Sequence, residues 1–158
     1  IPEEFAAIDV LVNNAGLASG LSHVQDGDLD DWDKMIDTNV KGLLYVSKAI
    51  IPGMVARKSG HIINIGSTAG KEVYENGNVY CASKHAVDAI SKGMRIDLLG
   101  TGVKVTQIAP GAAETEFSEV RFHGDKERAK KAYNGYQPMR AEDIASLVYY
   151  STTLPHHL

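Results

Sequence analysis

Apolar residues follow two different periods along the chain. Three short runs rich in Val and Ile cover positions 8–12, 61–66 and 103–108, and each is closed by a turn that contains Asn, Gly or Pro. Runs of this length and composition that end in turn residues are typical of buried β-strands. The sequence therefore predicts three strands with apolar side chains on both faces.

Longer segments between and after these strands repeat their apolar residues about every 3.6 positions. They cover residues 29–54, 80–99 and roughly 141–152, and several aspartates near the start of the first segment suit a helix N-terminus. This spacing predicts three helices, each with an apolar face. We expect Pro52 to bend or end the first helix, because proline cannot donate the backbone hydrogen bond.

The alternation of strand and helix predicts the fold class. Strands buried on both faces are typical of parallel sheets that are covered by helices on either side, so we predict an α/β, doubly wound parallel sheet in a single domain over residues 1–158. Such sheets bind ligands beyond the carboxyl ends of their strands. The turns at 13–16, 67–70 and 110–115 lie at those ends, and should face one crevice.

The composition is that of a globular protein, with 44% hydrophobic and 23% charged residues in 158 positions. The net charge of −4 and the scattered basic residues predict no nucleic-acid partner, and the one basic cluster at 126–131 suits a solvated helix face. The single cysteine, Cys81, excludes an internal disulfide. No apolar run reaches the roughly 18 residues of a membrane helix. We therefore predict a cytoplasmic protein without a membrane partner.

Tyr80 and Lys84 are the first candidates for chemistry. They lie four residues apart in a predicted helix, so their side chains share one face. A free phenol with a pKa near 10 is a poor base at neutral pH, but a cation about 4–6 Å away favours the phenolate. The pair therefore suits proton transfer, with Tyr80 as general acid or base. An exposed helix pair without a catalytic role is the alternative.

Several motifs agree in order and spacing with one protein family. They are Asn-Asn-Ala-Gly at 13–16, Asn39 within Asp-Thr-Asn-Val-Lys-Gly, Ser67 after the second strand, Tyr80 and Lys84 within Tyr-Cys-Ala-Ser-Lys, and Pro110-Gly111 followed by Thr115. Over nearly the whole chain the sequence resembles the classical short-chain dehydrogenase/reductase family, which has a Rossmann-like sheet. The resemblance implies an oxidoreductase that transfers a hydride between NADP(H), or NAD(H), and an alcohol or carbonyl group.

The resemblance also implies a role for each matched residue. The implied catalytic residues are Asn39, Ser67, Tyr80 and Lys84, where Ser67 holds the substrate oxygen and Asn39 a water that connects Lys84 to solvent. The implied cofactor-binding residues are Asn14, Ala15, Gly16, Tyr80, Lys84, Pro110, Gly111, Ala113 and Thr115. Asn14 to Gly16 and the Pro110-Gly111 turn have a simpler alternative, because such residues often only close a strand.

The substrate is indicated by two further segments. Residues 115–125 and 138–145 resemble the branch of the family that acts on serine, allo-threonine and other 3-hydroxy acids with NADP. Arg121 could hold a substrate carboxylate through two parallel hydrogen bonds, as arginine often does. A surface arginine without such a role is the alternative. Ser67 is the second substrate-binding residue that the resemblance implies.

Two other candidates are rejected as reactive groups. Cys81 has no histidine at a spacing that would activate it, so a small buried residue is the simpler interpretation. His156 and His157 are adjacent and therefore project differently, and no third ligand lies near them in the sequence. We predict no metal site.

The family's glycine-rich phosphate loop, the residue that selects NAD or NADP, and the last strand have no counterpart in these 158 residues. We therefore expect a partial domain whose first strand leaves an unpaired apolar edge. A catalytically silent fragment and a binding or scaffolding relative remain alternatives to the enzyme. The family resemblance also predicts a homodimer or homotetramer through helices 29–54 and 80–99.

Overall fold

Three parallel strands form the central sheet. A computed structural model describes residues 2, 6–135 and 137–155. Strands β1 (Val10–Asn13), β2 (Gly60–Ile65) and β3 (Val103–Ile108) pair in the order β1-β2-β3. Both pairs are parallel, with Val12 opposite Ile63 and Ile63 opposite Thr106. The predicted α/β class with a parallel sheet is confirmed, and β1 begins two residues later than expected.

The first predicted helix is longer than expected and is not uniform. It consists of α1 (Leu29–Ile36), a π-helical turn (Asp37–Gly42) and α2 (Leu43–Arg57). The Asp28 side chain caps α1 by accepting a hydrogen bond from the Asp31 amide at 3.1 Å. Pro52 was expected either to bend this helix or to end it. It does not end the helix, because α2 continues through it to Arg57.

Helix α3 (Asn78–Asp97) packs against the sheet and contributes Val87 and Met94 to the core. The buried apolar cluster between α2, α3 and the strands contains Leu43, Met54, Ile62, Val87, Met94, Leu98 and Val103. Helix α2 and strand β2 approach each other closely where the helix leads into the strand, since a Cβ atom at Gly60 would lie 2.5 Å from the Met54 sulfur. The core thus fixes the strand ends relative to the first turn of α3.

The stretch after β3 is more ordered than its polar sequence suggested. Strand β4 (Ala113–Glu114) is followed by two short helices, α4 (Phe117–Arg121) and α5 (Lys126–Lys131). Strand β5 (Met139–Arg140) pairs with β4 in parallel and leads directly into α6 (Ala141–Thr153). Residues 114–135 therefore fold back over the carboxyl end of the main sheet.

Strand β1 forms an edge of the sheet within the described residues, as expected from the sequence. Its apolar side chains remain partly open to solvent, with Val10 40% and Val12 39% exposed. No helix in the described part of the chain is long and apolar enough to cross a membrane.

Candidate functional site

A large cleft opens at the carboxyl ends of the three strands. Its volume is about 1680 Å³, which exceeds the roughly 300–1,000 Å³ of a pocket for one small ligand. Ten residues predicted from the sequence line it: Asn14, Gly16, Ser67, Tyr80, Lys84, Pro110, Gly111, Ala113, Thr115 and Arg121. Two others, Ala15 and Asn39, are not among the lining residues. The three turns therefore meet in one crevice.

Tyr80 lies in the first turn of α3, and its side chain is largely buried. The residue is 8% exposed, and its ring packs edge-on against Phe117 of α4 with centroids 5.5 Å apart. The guanidinium carbon of Arg121 lies 5.3 Å from the centroid of the same ring. Tyr80 is thus held between the helix that carries it and the α4 segment that covers the cleft.

The electrostatics at Tyr80 differ from the expectation based on Lys84. Burial raises the pKa of Tyr80, while the Ser67 hydroxyl and the charge of Arg121 lower it. The net direction is upward, and Lys84 is not among the groups that lower this pKa. The Lys84 Nζ lies 6.0 Å from the Tyr80 ring centroid and donates a hydrogen bond to the Ile65 carbonyl at 3.1 Å.

Lys84 is itself buried, with 6% of its surface exposed. Desolvation lowers the pKa of its ammonium from 10.5 to about 8. Removal from water disfavours the charged form of a lysine, and only a well-placed acceptor offsets this effect. Its Nζ also approaches Gly16, where a Cβ atom would lie 3.4 Å from it. Lys84 therefore connects the turn after β1 with the end of β2.

Ser67 begins the turn that follows β2. Its side chain accepts a hydrogen bond from the Ala69 amide at 3.1 Å and so caps a short 3₁₀ turn, Thr68–Gly70. This turn packs directly on the backbone of α3, because a Cβ atom at Gly70 would lie 2.5 Å from the Lys84 carbonyl oxygen. Gly70 thus permits the approach that brings Ser67 beside Tyr80.

Asn39 lies in the π-helical turn and is 2% exposed. Its side-chain oxygen accepts from the Leu17 amide, and its nitrogen donates to the Leu17 carbonyl, both at 2.8 Å. The same nitrogen donates to the Ser83 hydroxyl at 3.0 Å. The side chain therefore fixes the loop after β1 to α3 rather than facing the cleft. π-Helical turns are frequent at functional sites.

The turn after β3 forms the opposite wall of the cleft. The Pro110 carbonyl accepts a hydrogen bond from the Thr68 amide at 2.9 Å, which joins this turn to the one that begins at Ser67. The Ala113 carbonyl accepts from the Tyr133 hydroxyl at 3.0 Å. The Thr115 hydroxyl accepts from the Phe117 amide at 3.2 Å and leads into α4.

Tyr74, Phe117 and Leu17 contribute to the site although the sequence did not single them out. Tyr74 and Leu17 lie in loops, where no periodicity marks a functional position. The hydroxyl of Tyr74 accepts a hydrogen bond from the Arg121 Nη2 at 2.6 Å. A large aromatic residue six positions before Tyr80 was the only signal available in the sequence.

No group of three or more His, Cys, Asp or Glu side chains suited to a metal ion occurs within residues 2, 6–135 and 137–155. His156 and His157 lie outside these ranges. Cys81 is buried and 1% exposed.

The family model described as short chain dehydrogenase matches residues 1–126 of this chain. Among curated proteins, the NADP-dependent 3-hydroxy acid dehydrogenase of Salmonella typhi is 52% identical over 159 aligned positions, which cover 100% of this chain and 64% of that protein. Sulfoacetaldehyde reductase 2 of Chromohalobacter salexigens is 47% identical, with 100% of this chain and 63% of that protein covered. The chain thus spans about 64% of the length of the former relative.

A solved structure of serine dehydrogenase in its closed form, complexed with NADP⁺, has the same arrangement of elements. The TM-score is 0.97 at 50% sequence identity, and the match covers 100% of this chain and 64% of that one.

Proposed function

Because this chain belongs to the short-chain dehydrogenase family, we propose that it acts in hydride transfer between NADP(H) and the CH–OH or C=O group of a small hydroxy acid. The observation that carries the proposal is the convergence of Ser67, Tyr80 and Lys84 on one cleft at the strand ends. Tyr80 and Lys84 both lie on α3, whereas Ser67 comes from the turn after β2, so sequence spacing alone does not bring Ser67 to the other two.

NADP(H) is proposed as the cofactor because the Salmonella typhi relative is named as NADP-dependent and the serine dehydrogenase structure contains NADP⁺. The residues present fit such a group, since the cleft is larger than one small ligand needs and Gly16 lines it without a side chain. Once bound, the nicotinamide supplies or accepts the hydride. We assign its contacts to Asn14, Ala15, Gly16, Tyr80, Lys84, Pro110, Gly111, Ala113 and Thr115.

Tyr80 is the proposed general acid and base. In the direction of reduction its phenol donates a proton to the carbonyl oxygen, and in the direction of oxidation its phenolate accepts the hydroxyl proton. Burial raises the pKa of Tyr80, so at neutral pH the phenol carries the proton that reduction requires. Ser67 would hydrogen-bond the same substrate oxygen, because a hydroxyl can both donate and accept.

Lys84 and Asn39 are proposed to supply the proton path. Lys84 has a pKa of about 8, so it exchanges protons readily near neutral pH. The Asn39 side chain is occupied by Leu17 and Ser83, so we assign the contact with a connecting water to its backbone in the π-helical turn. The side chain holds that turn in place.

A small acidic substrate is supported from two directions. The two curated relatives are named for a 3-hydroxy acid and for sulfoacetaldehyde, and the solved relative for serine. All three names denote small molecules that carry an acidic group. In this chain Arg121 lines the cleft beside Tyr80, where we assign it to the substrate carboxylate.

We also propose a homodimer or homotetramer through residues 29–54 and 80–99. This assembly is supported by exposed apolar side chains on α2, where Tyr45 is 68% and Val46 47% exposed. A cytoplasmic location is supported by a single cysteine in 158 residues.

The test is NADPH oxidation with 3-oxo acids by the protein and by its Tyr80→Phe variant. Loss of the phenol should lower kcat by about 10²–10⁴-fold, the usual contribution of a general acid. Tyr150, which is exposed on α6 and outside the cleft, provides the control, and Tyr150→Phe should retain full activity. Undiminished turnover in Tyr80→Phe would exclude the proposed mechanism.

A further inference from the structure

Arg121 carries a positive charge that no carboxylate neutralises within the described residues. No Asp or Glu oxygen in that part of the chain lies within 4.0 Å of its guanidinium. Its Nη2 donates to the Tyr74 hydroxyl at 2.6 Å, and its Nε is 3.5 Å from the Gly20 carbonyl. Both acceptors are neutral, so the full charge remains at the mouth of the cleft.

Two tyrosine rings fix the position of this guanidinium. Its central carbon lies 5.3 Å from the ring centroids of both Tyr74 and Tyr80. Contacts of a guanidinium with aromatic rings at this distance are attractive. The backbone of Arg121 is fixed as well, because its carbonyl accepts from the Gly20 amide at 2.9 Å.

Tyr74 is in turn fixed by a tight loop. The Gly77 amide donates to the Tyr74 carbonyl at 3.1 Å, and Asn76 between them adopts a positive φ of 62°. The Tyr74 ring lies directly on Gly77, where a Cβ atom would be 2.2 Å from the ring carbon Cε2. Any side chain at position 77 would displace the ring.

Tyr74 also stays neutral. Burial raises the pKa of its phenol, although Arg121 works in the opposite direction. A neutral acceptor orients the arginine without cancelling its charge, in contrast to a carboxylate partner.

We propose that Tyr74 is a positioning residue that holds the Arg121 guanidinium beside Tyr80 and thereby gives the site its preference for substrates with an anionic head group. This inference rests on the proposed function and deepens it, because it assigns the substrate selectivity to a contact between two loops. The free edge of the guanidinium would meet a carboxylate or sulfonate while the reacting oxygen lies at Tyr80.

The test compares an acid with its neutral ester in the Tyr74→Phe variant, which removes one oxygen and keeps the ring. The probes are 3-hydroxybutyrate and its methyl ester, with NADP⁺ reduction as the readout. We expect KM for the acid to rise about tenfold, with kcat and the KM for the ester changed less than twofold. Gly77→Ala should likewise raise KM for the acid and not for the ester, because it moves the Tyr74 ring. Tyr150→Phe should leave kcat and both KM values unchanged.

If KM changes equally for the acid and the ester in Tyr74→Phe, Tyr74 has a merely structural role. If neither KM changes, Tyr74 has no role in substrate selection. Either result overturns the proposal. If the unmodified protein does not reduce NADP⁺ with any probe, the proposed function fails separately. Calorimetric titration with 3-hydroxybutyrate then decides the inference. At least tenfold weaker binding to Tyr74→Phe than to the unmodified protein would support it, and equal or undetectable binding to both would overturn it.

Discussion

At the scale of single residues, Lys84 is the side chain of the site whose burial lowers the stability of the folded protein most. An ammonium group that is removed from water loses hydration, and a single carbonyl acceptor replaces only part of it. The Ile65 carbonyl is the one acceptor that Lys84 has within the described residues. Stability is thus lost at a position that the proposed chemistry requires, which is a common compromise at functional sites.

Lys84→Met should make the protein more stable at pH 7. A pKa lowered from 10.5 to about 8 corresponds to about 3 kcal/mol of destabilisation, and the lost hydrogen bond returns about 1 kcal/mol of this. We therefore expect a gain of about 2 kcal/mol in the free energy of unfolding, measured by urea denaturation. Hydride transfer should be lost in the same variant.

The pH dependence of this gain has a definite sign. Because the folded-state pKa lies below the unfolded one, the unfolded chain binds the extra proton between pH 8 and pH 10.5. The native lysine is therefore fully destabilising below about pH 8, and less so as the pH rises. The advantage of Lys84→Met should shrink to about 1 kcal/mol or less at pH 10. An advantage that is constant with pH would contradict the burial argument.

At the scale of elements, the turn that begins at Ser67 depends on α3 for its position. Close backbone packing at Gly70 is one link. The second is Asp88 on α3, whose carboxylate binds Lys71 directly after the turn and Lys92 one helical turn further along, the latter at 2.7 Å. Hydrogen bonds from both lysines lower the pKa of Asp88 from 3.8 to about 2. The ion pairs thus join the Ser67 turn to the helix that carries Tyr80.

Asp88→Asn should lower the free energy of unfolding at pH 7 by about 1 kcal/mol, since both lysines are half-exposed and water screens the pairs. The depressed pKa means that the native contribution is complete above pH 3.8 and declines as the pH falls towards 2. The difference between the variant and the native protein, measured by urea denaturation, should therefore narrow at pH 2.5.

Asp37→Asn is the matched control for this prediction. Its Lys41 partner, four residues along the π-helical turn, is 54% exposed and the carboxylate 60% exposed. Solvent screening should leave this variant less affected than Asp88→Asn at pH 7. If both variants lose the same free energy of unfolding, the link between the turn and α3 contributes no more stability than an exposed ion pair.

At the scale of the whole molecule, α2 presents apolar side chains to solvent. Leu44 is 41%, Tyr45 68% and Val46 47% exposed, on three successive positions. Exposed apolar residues that cluster on one helix are more typical of an interface than isolated ones. This surface is where the proposed dimer or tetramer would form.

Tyr45→Glu should therefore reduce the molecular mass measured by light scattering towards that of a single chain, because a buried carboxylate without a partner is costly at an interface. Val24→Glu is the control, since Val24 is 62% exposed and lies outside both helices. An unchanged mass for Tyr45→Glu would place the interface elsewhere or exclude an oligomer.

The local patterns of the sequence determined the elements closely. Residues 103–108 were predicted as a strand and form one, and the helix expected over 80–99 is observed as Asn78–Asp97. Strand ends that bear polar turns also predicted one shared crevice, because parallel strands place their carboxyl ends together. The π-helical turn was not predictable, since its apolar spacing is that of an ordinary helix.

The sequence by itself thus determined the parallel α/β fold, the family resemblance, and the residues most suited to chemistry, because periodicity and motif spacing are local properties. Only the tertiary structure decided that Lys84 contacts the Ile65 carbonyl, that the Asn39 side chain serves the Leu17 loop, and that Tyr74 meets Arg121 across 47 positions. These contacts join loops that are distant in the chain. Their burial and charge depend on how the strands and helices pack, which no local pattern records.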